Sequence, residues 1–474
     1  MPIIKLDSNS GVPFYEQIYD AVKSEIVAGA LKHGEKLPSK RCLATRLQCS
    51  LNTVQGAYSQ LTAEGYINPR SRSGYYISKI DGMLNLEKSE EDEEAESSQD
   101  PAYRYDLTHH GIDSNAFPFS VWRRLTKESI NEYDMDLHKT GESQGYSGLR
   151  SSISRYLRQS RGVKCSPQQI IISSGTEMLV QLLIQLFGEK SIYALEDPGY
   201  EKLNLIFKSN RSVYKAMPLD SEGILPQALR ESGAHIAFTT PSHQFPTGTI
   251  MPINRRINLL QWAGESPERY IVEDDYDSEF KYGGMPVPSL HSLDTGDSTI
   301  YAGSFSKCLT PSIRISYMVL PLKLMEPYYS KLSFYVCPAS LIEQKALCRF
   351  IDEGHFERHL NRMRNIYKKK RECLISAVRS EIPDAVISGA NAGLHVLLTV
   401  RTRKTESEIV SAAAAKGVRI YGLSRFFSPE RQEVYDARDR AAPGAPVSLL
   451  LGFASVDAAD IPEAVRALRS ACGR

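Results

Sequence analysis

Apolar residues recur at helical spacing within the first eighty residues of the chain. The pattern predicts a first helix over residues 14–28, a second from Ser39, and a third that begins after Ser50. Serine before a helix accepts a hydrogen bond from a free backbone N–H group, so Ser50 is a good N-cap. The buried positions of the first and third helices are Ile18, Val22 and Ile26, then Val54, Ala57, Tyr58 and Leu61.

Two short β-type runs follow the third helix. The turn-forming sequence PRSRSG separates Tyr66-Ile67 from Tyr75-Tyr76-Ile77 and predicts a two-stranded hairpin. Three helices followed by such a hairpin are the elements of a winged helix-turn-helix. Residues 1–80 also carry ten Lys and Arg against six Asp and Glu, and this positive balance favours a nucleic-acid partner.

A winged helix places the start of its third helix in the major groove of duplex DNA. Base edges would then face Asn52, Thr53 and Gln55. Side chains before that helix and in the hairpin turn would contact phosphates or the minor groove. These predicted contacts are Ser39, Arg41, Arg70 and Arg72, with Gly74 in the turn as a further DNA-binding residue.

Residues 81–104 are predicted to form an acidic flexible linker. Their low-complexity stretch LEKSEEDEEAESSQD has almost no apolar residue. It buries too little surface to offset the entropy lost on ordering, so we expect disorder. Its like charges should extend the tether and keep it away from DNA.

From residue 105 to residue 474, strand-like apolar runs alternate with amphipathic helical segments. The runs lie at 169–173, 191–195, 235–240, 270–272 and 300–302. Strand, loop and helix in repetition predict an α/β domain with a mainly parallel sheet between layers of helices. Ligands of such sheets bind beyond the carboxyl ends of the strands, so chemistry is expected in the loops after these runs.

Two of these loops suit a phosphate group. The sequence SGTE opens a helix, and the free N–H groups of a helix N-terminus favour an anion. The other loop follows the last run and offers two hydroxyls and a guanidinium that can bind a phosphate with two N–H groups. The predicted phosphate residues are Gly175, Thr176, Glu177, Ser304, Ser306 and Arg314.

Other loop residues supply the remaining groups of an aldehyde-cofactor site. Lys307 stands just after a strand, where its amine can form a Schiff base. Asp274 suits a protonated pyridine nitrogen, and Tyr276 suits the phenolic oxygen beside it. Tyr200, in the sequence EDPGY, suits stacking on an aromatic ring. Together these are the groups that pyridoxal phosphate needs from a protein.

Composition predicts the number of domains and the cellular compartment, and it agrees with the elements predicted above. The 474 residues predict two or three domains, with 42% hydrophobic and 24% charged residues and a formal net charge of +1. Eight scattered cysteines without a C-x-x-C pair favour a reducing cytosol, and no metal site is predicted. No targeting pattern or membrane-length apolar stretch is present, so a cytoplasmic location without a membrane partner is expected.

The run PSKRCLATRLQCSLNTVQGAYSQLTAEGYI resembles the GntR-family DNA-binding domain along almost its whole length. The resemblance implies that residues 1–80 read double-stranded operator DNA. Leu51 departs from the family, which usually has a basic residue there. One phosphate contact is therefore expected to be missing, and operator affinity should depend more on the hairpin.

The motifs EDPGY, PSHQFPTG, EDDYDSEF and GSFSK resemble fold-type I aminotransferases over residues 105–474. A GntR-type reader fused to such a domain is the arrangement of the MocR/GabR family of transcriptional regulators, which the whole chain resembles. The resemblance implies a bacterial protein, a ligand-sensing large domain and a head-to-tail homodimer. The resemblance also assigns Lys307, Asp274 and the other cofactor residues the roles named above. It further implies that Arg425, in YGLSRFF, binds the carboxylate of the ligand.

Two positions depart from the aminotransferase pattern. Phe245 stands where these enzymes usually have Asn before Pro-Thr-Gly, so one hydrogen bond to the cofactor ring is missing or supplied elsewhere. Lys202, the second expected ligand-binding residue, stands where the GABA-sensing member has Arg. Lysine is a point charge and not a planar fork, which argues against GABA itself as the ligand.

Three functions remain open on the sequence alone. The first is a regulator that binds operator DNA and senses a small amino compound through a Schiff base at Lys307. The second is a regulator that senses pyridoxal phosphate itself. The third is a working aminotransferase with an accessory N-terminal module, since all the groups for transamination are present.

Overall fold

The computed structural model describes residues 4, 6, 7, 10–70, 73–79, 103–130, 134–283, 287–441 and 444–474, the side chains of 438–441 excepted. The chain divides into two compact units, Met1–Asp100 and Pro101–Arg474. Most of the predicted linker 81–104, and Arg72, lie outside the described residues. The linker's disorder and the domain boundaries at 80 and 105 therefore stay predictions. No helix in the described part of the chain is both long and apolar enough to span a membrane.

The first unit consists of three helices and an antiparallel two-stranded sheet. The elements are α1 (Phe14–Val27), α2 (Lys40–Leu47), α3 (Leu51–Ala63), β1 (Ile67–Arg70) and β2 (Gly74–Ile77). The hydroxyls of Ser39 and Ser50 cap α2 and α3 by accepting from backbone N–H groups. Ile18, Val54 and Leu61 are fully buried, each worth about 1.5–3 kcal/mol of hydrophobic stabilisation. The predicted winged helix is confirmed.

The second unit contains the remaining elements. Its helices are α4 (Phe119–Ser129), α5 (Ser147–Arg161), α6 (Thr176–Phe187), α7 (Glu201–Ser209), α8 (Pro226–Ser232), α9 (Ile253–Gly264), α10 (Leu290–Leu293), α11 (Met325–Leu332), α12 (Leu341–Asp352), α13 (His355–Glu381), α14 (Glu406–Ala415), α15 (Pro429–Ala441) and α16 (Ile461–Ala471). Short 3₁₀ turns lie at Ser114–Ala116, Met135–His138, Pro167–Gln169, Pro311–Ile313, Leu322–Leu324 and Leu423–Phe426.

Its strands form one large and two small sheets. They are β3 (Tyr105–Asp106), β4 (Ile170–Ser173), β5 (Ile192–Asp197), β6 (Val213–Asp220), β7 (Gly223–Ile224), β8 (Ile236–Thr239), β9 (Tyr270–Asp274), β10 (Thr299–Ser304), β11 (Ser316–Val319), β12 (Val386–Ser388), β13 (His395–Arg401), β14 (Val418–Arg419), β15 (Tyr421–Gly422) and β16 (Pro446–Gly452). The large sheet has the order β4-β11-β10-β9-β8-β5-β6-β7; a four-stranded sheet has the order β12-β13-β16-β15, and β3 pairs with β14.

Helices cover both faces of the large sheet. Side chains alternate along its strands, so Val272 packs with α6 and α11 while Ile271 packs with α8 and the fully buried Trp262 of α9. The strands β10, β9, β8, β5 and β6 run parallel. The predicted mainly parallel sheet between helix layers is therefore confirmed.

The topology brings the predicted loops to one edge. β11 runs against both β10 and β4, so β4 and β10 point the same way and end together. Ser316 of β11 pairs with Ser173 on one side and Ser304 on the other. Asp274, the last residue of β9, lies beside Ala302 of β10. The phosphate loop, the lysine loop and the carboxylate are thus neighbours in the fold.

Candidate functional site

A cavity of about 300 Å³ opens at this edge of the large sheet. Eleven of the residues predicted for cofactor or ligand line it, drawn from the carboxyl ends of the four strands β4, β5, β9 and β10 and the loops that follow them. They are Gly175, Thr176, Glu177, Tyr200, Lys202, Asp274, Tyr276, Ser304, Ser306, Lys307 and Arg314. The sequence motifs therefore meet around one space, as expected for an open α/β sheet.

Lys307 reaches the cavity from the loop after β10. Its Nζ donates a hydrogen bond to the backbone carbonyl of His109. Burial lowers the pKa of Lys307 to about 8, with Asp277 opposing the shift. A lysine whose pKa approaches neutrality has an accessible uncharged form, which is the nucleophile toward an aldehyde. The geometry and electrostatics of this amine fit a covalent attachment point.

Asp274 lies deep in the same cavity. Burial, followed by the charges of Asp275 and Asp277, raises the pKa of Asp274 to about 7. A buried carboxylate among other carboxylates is stabilised by a cation or a donated proton. The protonated ring nitrogen of a pyridine supplies such a partner, so Asp274 fits the polar end of the cofactor ring.

The opposite end of the cavity is built for an anion. Gly175 has φ +91°, and a Cβ at this position would overlap Arg314 Nη2. Only glycine therefore lets the guanidinium lie against the start of α6, where N–H groups are free. Ser304 Oγ donates to Ser306 Oγ at 3.1 Å and accepts from Ser316 Oγ at 2.9 Å. This cradle of glycine, hydroxyls and guanidinium fits the cofactor's phosphate.

Tyr276 is held by a buried residue that the sequence analysis did not single out. The Tyr276 hydroxyl donates to the backbone carbonyl of His243 at 3.0 Å and lies 3.1 Å from His243 Nδ1. His243 Nδ1 is also 3.0 Å from Asp277 Oδ2. This network orients the tyrosine hydroxyl, and only folding reveals it, because His243 and Asp277 follow different strands.

His243, Asp277 and His395 are the described residues that come closest to a metal-binding set. Their ligand atoms lie within 4.8 Å of one another, and all three side chains are buried. His243 already bonds to Tyr276 and Asp277, and His395 Nε2 lies 3.1 Å from the Pro246 carbonyl. Hydrogen bonds within the protein therefore explain why these three side chains lie close together.

His109 and His110 form a second part of the wall that sequence reasoning missed. Their rings are 3.8 Å apart, and the ring of His109 is 4.7 Å from that of Phe245. His109 is 7% exposed, and neither ring nitrogen has a partner among the described residues. Burial lowers its pKa, so the ring is neutral. Phe245, where aminotransferases usually have Asn, adds an aromatic surface and no hydrogen bond.

Arg425 is the predicted residue that the structure does not bring to the cavity. The described residues that line the cavity do not include it. Its guanidinium lies 4.2 Å from the centre of the Tyr421 ring, and its Nε is 3.4 Å from Glu201 Oε1. Its charge contributes to lowering the pKa of His110, whose burial is the main cause. Arg425 is therefore near the site but engaged elsewhere.

The predicted DNA-binding residues lie on the first unit. Asn52 and Gln55 are exposed on the first turns of α3, beside Leu51, which is 41% exposed. Ser39 and Thr53 take part in the helix caps. Arg41 is exposed on α2, and Gly74 begins β2. The guanidinium carbon of Arg70 lies 4.4 Å from the centre of the Tyr76 ring. The base-reading roles of these residues stay predictions.

Comparisons with known proteins agree with both units. Residues 14–77 match the family Bacterial regulatory proteins, gntR family, and residues 111–468 match Aminotransferase class I and II. The uncharacterized HTH-type transcriptional regulator YdeL of Bacillus subtilis is 40% identical over 98% of each chain. The probable rhizopine catabolism regulatory protein MocR of Rhizobium meliloti is 34% identical over 99% of this chain and 96% of its own.

A solved aminotransferase shares the fold of the second unit. The kynurenine aminotransferase of Pyrococcus horikoshii, in complex with PMP, superposes with a TM-score of 0.68 at 25% identity. The match covers 82% of this chain and 95% of that enzyme. The predicted aminotransferase-like fold and pyridoxal phosphate as its cofactor are both confirmed. The chain therefore belongs to the MocR family of pyridoxal-phosphate-dependent transcriptional regulators, which bind DNA through a gntR-type domain joined to an aminotransferase-like domain.

Proposed function

We propose that the protein regulates transcription in response to a small amino compound, or to pyridoxal phosphate itself, bound at Lys307. The observation that carries this proposal is that three chemically different groups, an amine, a carboxylate and an anion-binding site, line one cavity. Lys307 supplies an amine of lowered pKa, Asp274 a buried carboxylate of raised pKa, and Arg314 with α6 an anion cradle. When bound there, the cofactor supplies an aldehyde that captures primary amines reversibly.

Each surrounding residue has a defined task in this proposal. Asp274 would keep a proton on the ring nitrogen of the bound cofactor, and the Tyr276 hydroxyl, oriented by His243, would interact with its phenolic oxygen. Tyr200 lines the cavity and offers its ring for stacking. Arg314, Ser304 and Ser306 would bind the phosphate together with the backbone N–H groups of Gly175 and Thr176. The N–H group of Glu177 donates to that residue's own carboxylate.

Arg425 and Lys202 are the proposed partners of the amino compound's carboxylate. Arg425 lies against Glu201, and Lys202 Nζ is 3.3 Å from Glu177 Oε1. Engaging the ligand therefore requires at least one of these cations to leave its glutamate. A ligand shifts the conformational equilibrium by its differential affinity for the two arrangements, which provides a route from ligand binding to the DNA-reading unit.

The proposal includes a head-to-tail homodimer on operator DNA in the bacterial cytoplasm. The run Phe334, Tyr335 and Val336 supports self-association, because Phe334 is 73% exposed and Val336 51% exposed. Large apolar side chains in such a run are typical of protein interfaces. Sedimentation of the purified protein measures the assembly directly.

The test of cofactor attachment compares Lys307→Ala with Lys139→Ala, a control at an exposed lysine just after a 3₁₀ turn. The wild type and the control should absorb at the edge of the visible range and retain one cofactor after borohydride reduction. Lys307→Ala should do neither. A visible absorbance that survives in Lys307→Ala contradicts the assignment.

The regulatory output is measured by a footprint on the DNA that flanks the protein's own gene. We expect protection that changes in extent when pyridoxal phosphate, or pyridoxal phosphate with an amino acid, is added. Amino acids that alter the absorbance as well as the footprint identify the amine-sensing form. Protection that responds to the cofactor alone identifies the cofactor-sensing form.

The second candidate, a working aminotransferase, is favoured by one observation, the lowered pKa of Lys307. An amine that titrates at about 8 can also accept and return a proton during turnover. Sustained multiple turnover of an amino donor with a keto acid, without any change in the footprint, would establish the enzyme in place of the sensor.

A further inference from the structure

We propose that Glu177 competes with the cofactor's phosphate for Arg314, and that Lys202 holds the displaced carboxylate. The inference rests on the proposed placement of the phosphate at Arg314 and the start of α6. Under this proposal the Glu177 carboxylate weakens the binding of the phosphate. The proposal also makes Lys202 part of the cofactor's binding equilibrium.

Glu177 lies between two cations at the mouth of the anion cradle. Its Oε2 is 2.9 Å from Arg314 Nη2, and its Oε1 is 3.3 Å from Lys202 Nζ. A Cβ on Gly175 would lie 2.8 Å from Glu177 Oε2, so the carboxylate stands directly over the glycine of the cradle. An anion of the protein itself thus lies where the phosphate is expected.

The carboxylate is ionised in this position. Burial acts to raise the pKa of Glu177, but a hydrogen bond from its own backbone N–H group and the charge of Arg314 outweigh it, and the pKa is lowered. The same helix N-terminus and the same guanidinium would stabilise a phosphate. Two anions at one cradle repel each other, so the bound phosphate and the Glu177–Arg314 ion pair exclude each other.

Lys202 offers the carboxylate an alternative partner. Its ammonium is a point charge on a flexible stem, its side chain is 46% exposed, and it already contacts the other oxygen of Glu177. A rotation of the Glu177 side chain toward Lys202 would free Arg314 without leaving the glutamate unpaired. The affinity for the phosphate group therefore depends on both residues.

This arrangement predicts antagonism between the cofactor's phosphate and a ligand carboxylate at Lys202. A carboxylate that binds Lys202 takes away the alternative partner of Glu177, which then returns toward Arg314. By thermodynamic reciprocity, phosphate binding weakens the ligand carboxylate's hold on Lys202 to the same extent. Ligands that keep their carboxylate on Arg425 avoid this conflict.

The experiment compares the affinities of the full-length protein for pyridoxal phosphate and for pyridoxal, which lacks the phosphate. Glu177→Gln should bind pyridoxal phosphate about tenfold more tightly than the wild type and bind pyridoxal with unchanged affinity. The control is Glu189→Gln, an exposed glutamate just beyond the other end of α6, which should change neither affinity.

A second variant tests the role of Lys202. Lys202→Met should weaken pyridoxal phosphate binding severalfold, because the displaced carboxylate loses its partner, and should change pyridoxal binding much less. In the double variant with Glu177→Gln, the effect of Lys202→Met should disappear. A Lys202→Met effect that persists in the double variant overturns the assignment of Lys202.

The outcomes separate this inference from the proposed function. If the wild type acquires its visible absorbance through Lys307 but Glu177→Gln binds pyridoxal phosphate no more tightly, the competition is refuted and the cofactor site stands. An equal gain for pyridoxal also refutes it, since the effect would not concern the phosphate. If the wild type binds neither compound, the proposed cofactor site itself is wrong.

Discussion

Burial is the main cause of the lowered pKa of Lys307. Its pKa is lowered to about 8 from the ordinary lysine value of 10.5, so about a tenth of the amine is uncharged at neutral pH. We expect the rate at which cofactor-free protein takes up pyridoxal phosphate to rise with pH, to be half-maximal near pH 8, and to level off above about pH 9. Stopped-flow absorbance from about pH 6 to about pH 10 measures this profile. A rate that still climbs at the upper end would indicate an amine without the shift.

Leu51 is a position where we expect a single substitution to change the strength of DNA binding. It is the first residue of α3 and is 41% exposed, so an arginine fits there without repacking. Leu51→Arg should raise operator affinity severalfold and steepen the dependence of log affinity on log salt by about 0.9. Titrations of footprinted DNA at several salt concentrations measure the slope. Val27→Arg, at an exposed position on α1, should leave the slope unchanged if the contact belongs to α3.

At the scale of single elements, the glycines at the two ends of α6 can be compared directly. Gly175 and Gly188 both have positive φ, but a Cβ meets Arg314 and Glu177 at Gly175 and nothing within 4 Å at Gly188. Gly175→Ala should weaken pyridoxal phosphate binding about tenfold or more, since a strained residue also overlaps the guanidinium. Gly188→Ala should cost about 1–3 kcal/mol of stability and leave the affinity unchanged. Equal losses of affinity in both variants would show that backbone strain alone matters.

At the scale of the whole molecule, tryptophan fluorescence reports on the second unit alone. The chain has two tryptophans, Trp122 on α4 and Trp262 on α9. Pyridoxal phosphate at a hundred times its Kd should stabilise the unit that binds it by about 2.7 kcal/mol. We expect the fluorescence-detected Tm to rise by about 3 °C. Lys307→Ala should show a much smaller rise, and an equal rise in this variant would place the binding energy away from the lysine.

The sequence by itself determined the elements and the loops that carry the chemistry. Helical periodicity, serine caps and strand-end motifs depend on neighbours within a few residues, so the winged helix, the mainly parallel sheet and the loop positions of Lys307 and Asp274 were predictable. Strand direction then brings all these loops to one edge. The family resemblance added the identity of the cofactor, which no periodicity shows.

Only the tertiary structure decided which side chains meet. Arg314 and Glu177 are 137 residues apart, and Lys307 and His109 are 198 residues apart, so no local pattern relates them. The fold alone shows Glu177 paired with Arg314, Arg425 packed on Tyr421 and Glu201, and His243 bonded to Tyr276. The physical reason is range: secondary structure follows from interactions between near neighbours in sequence, whereas ion pairs and burial depend on how distant segments pack.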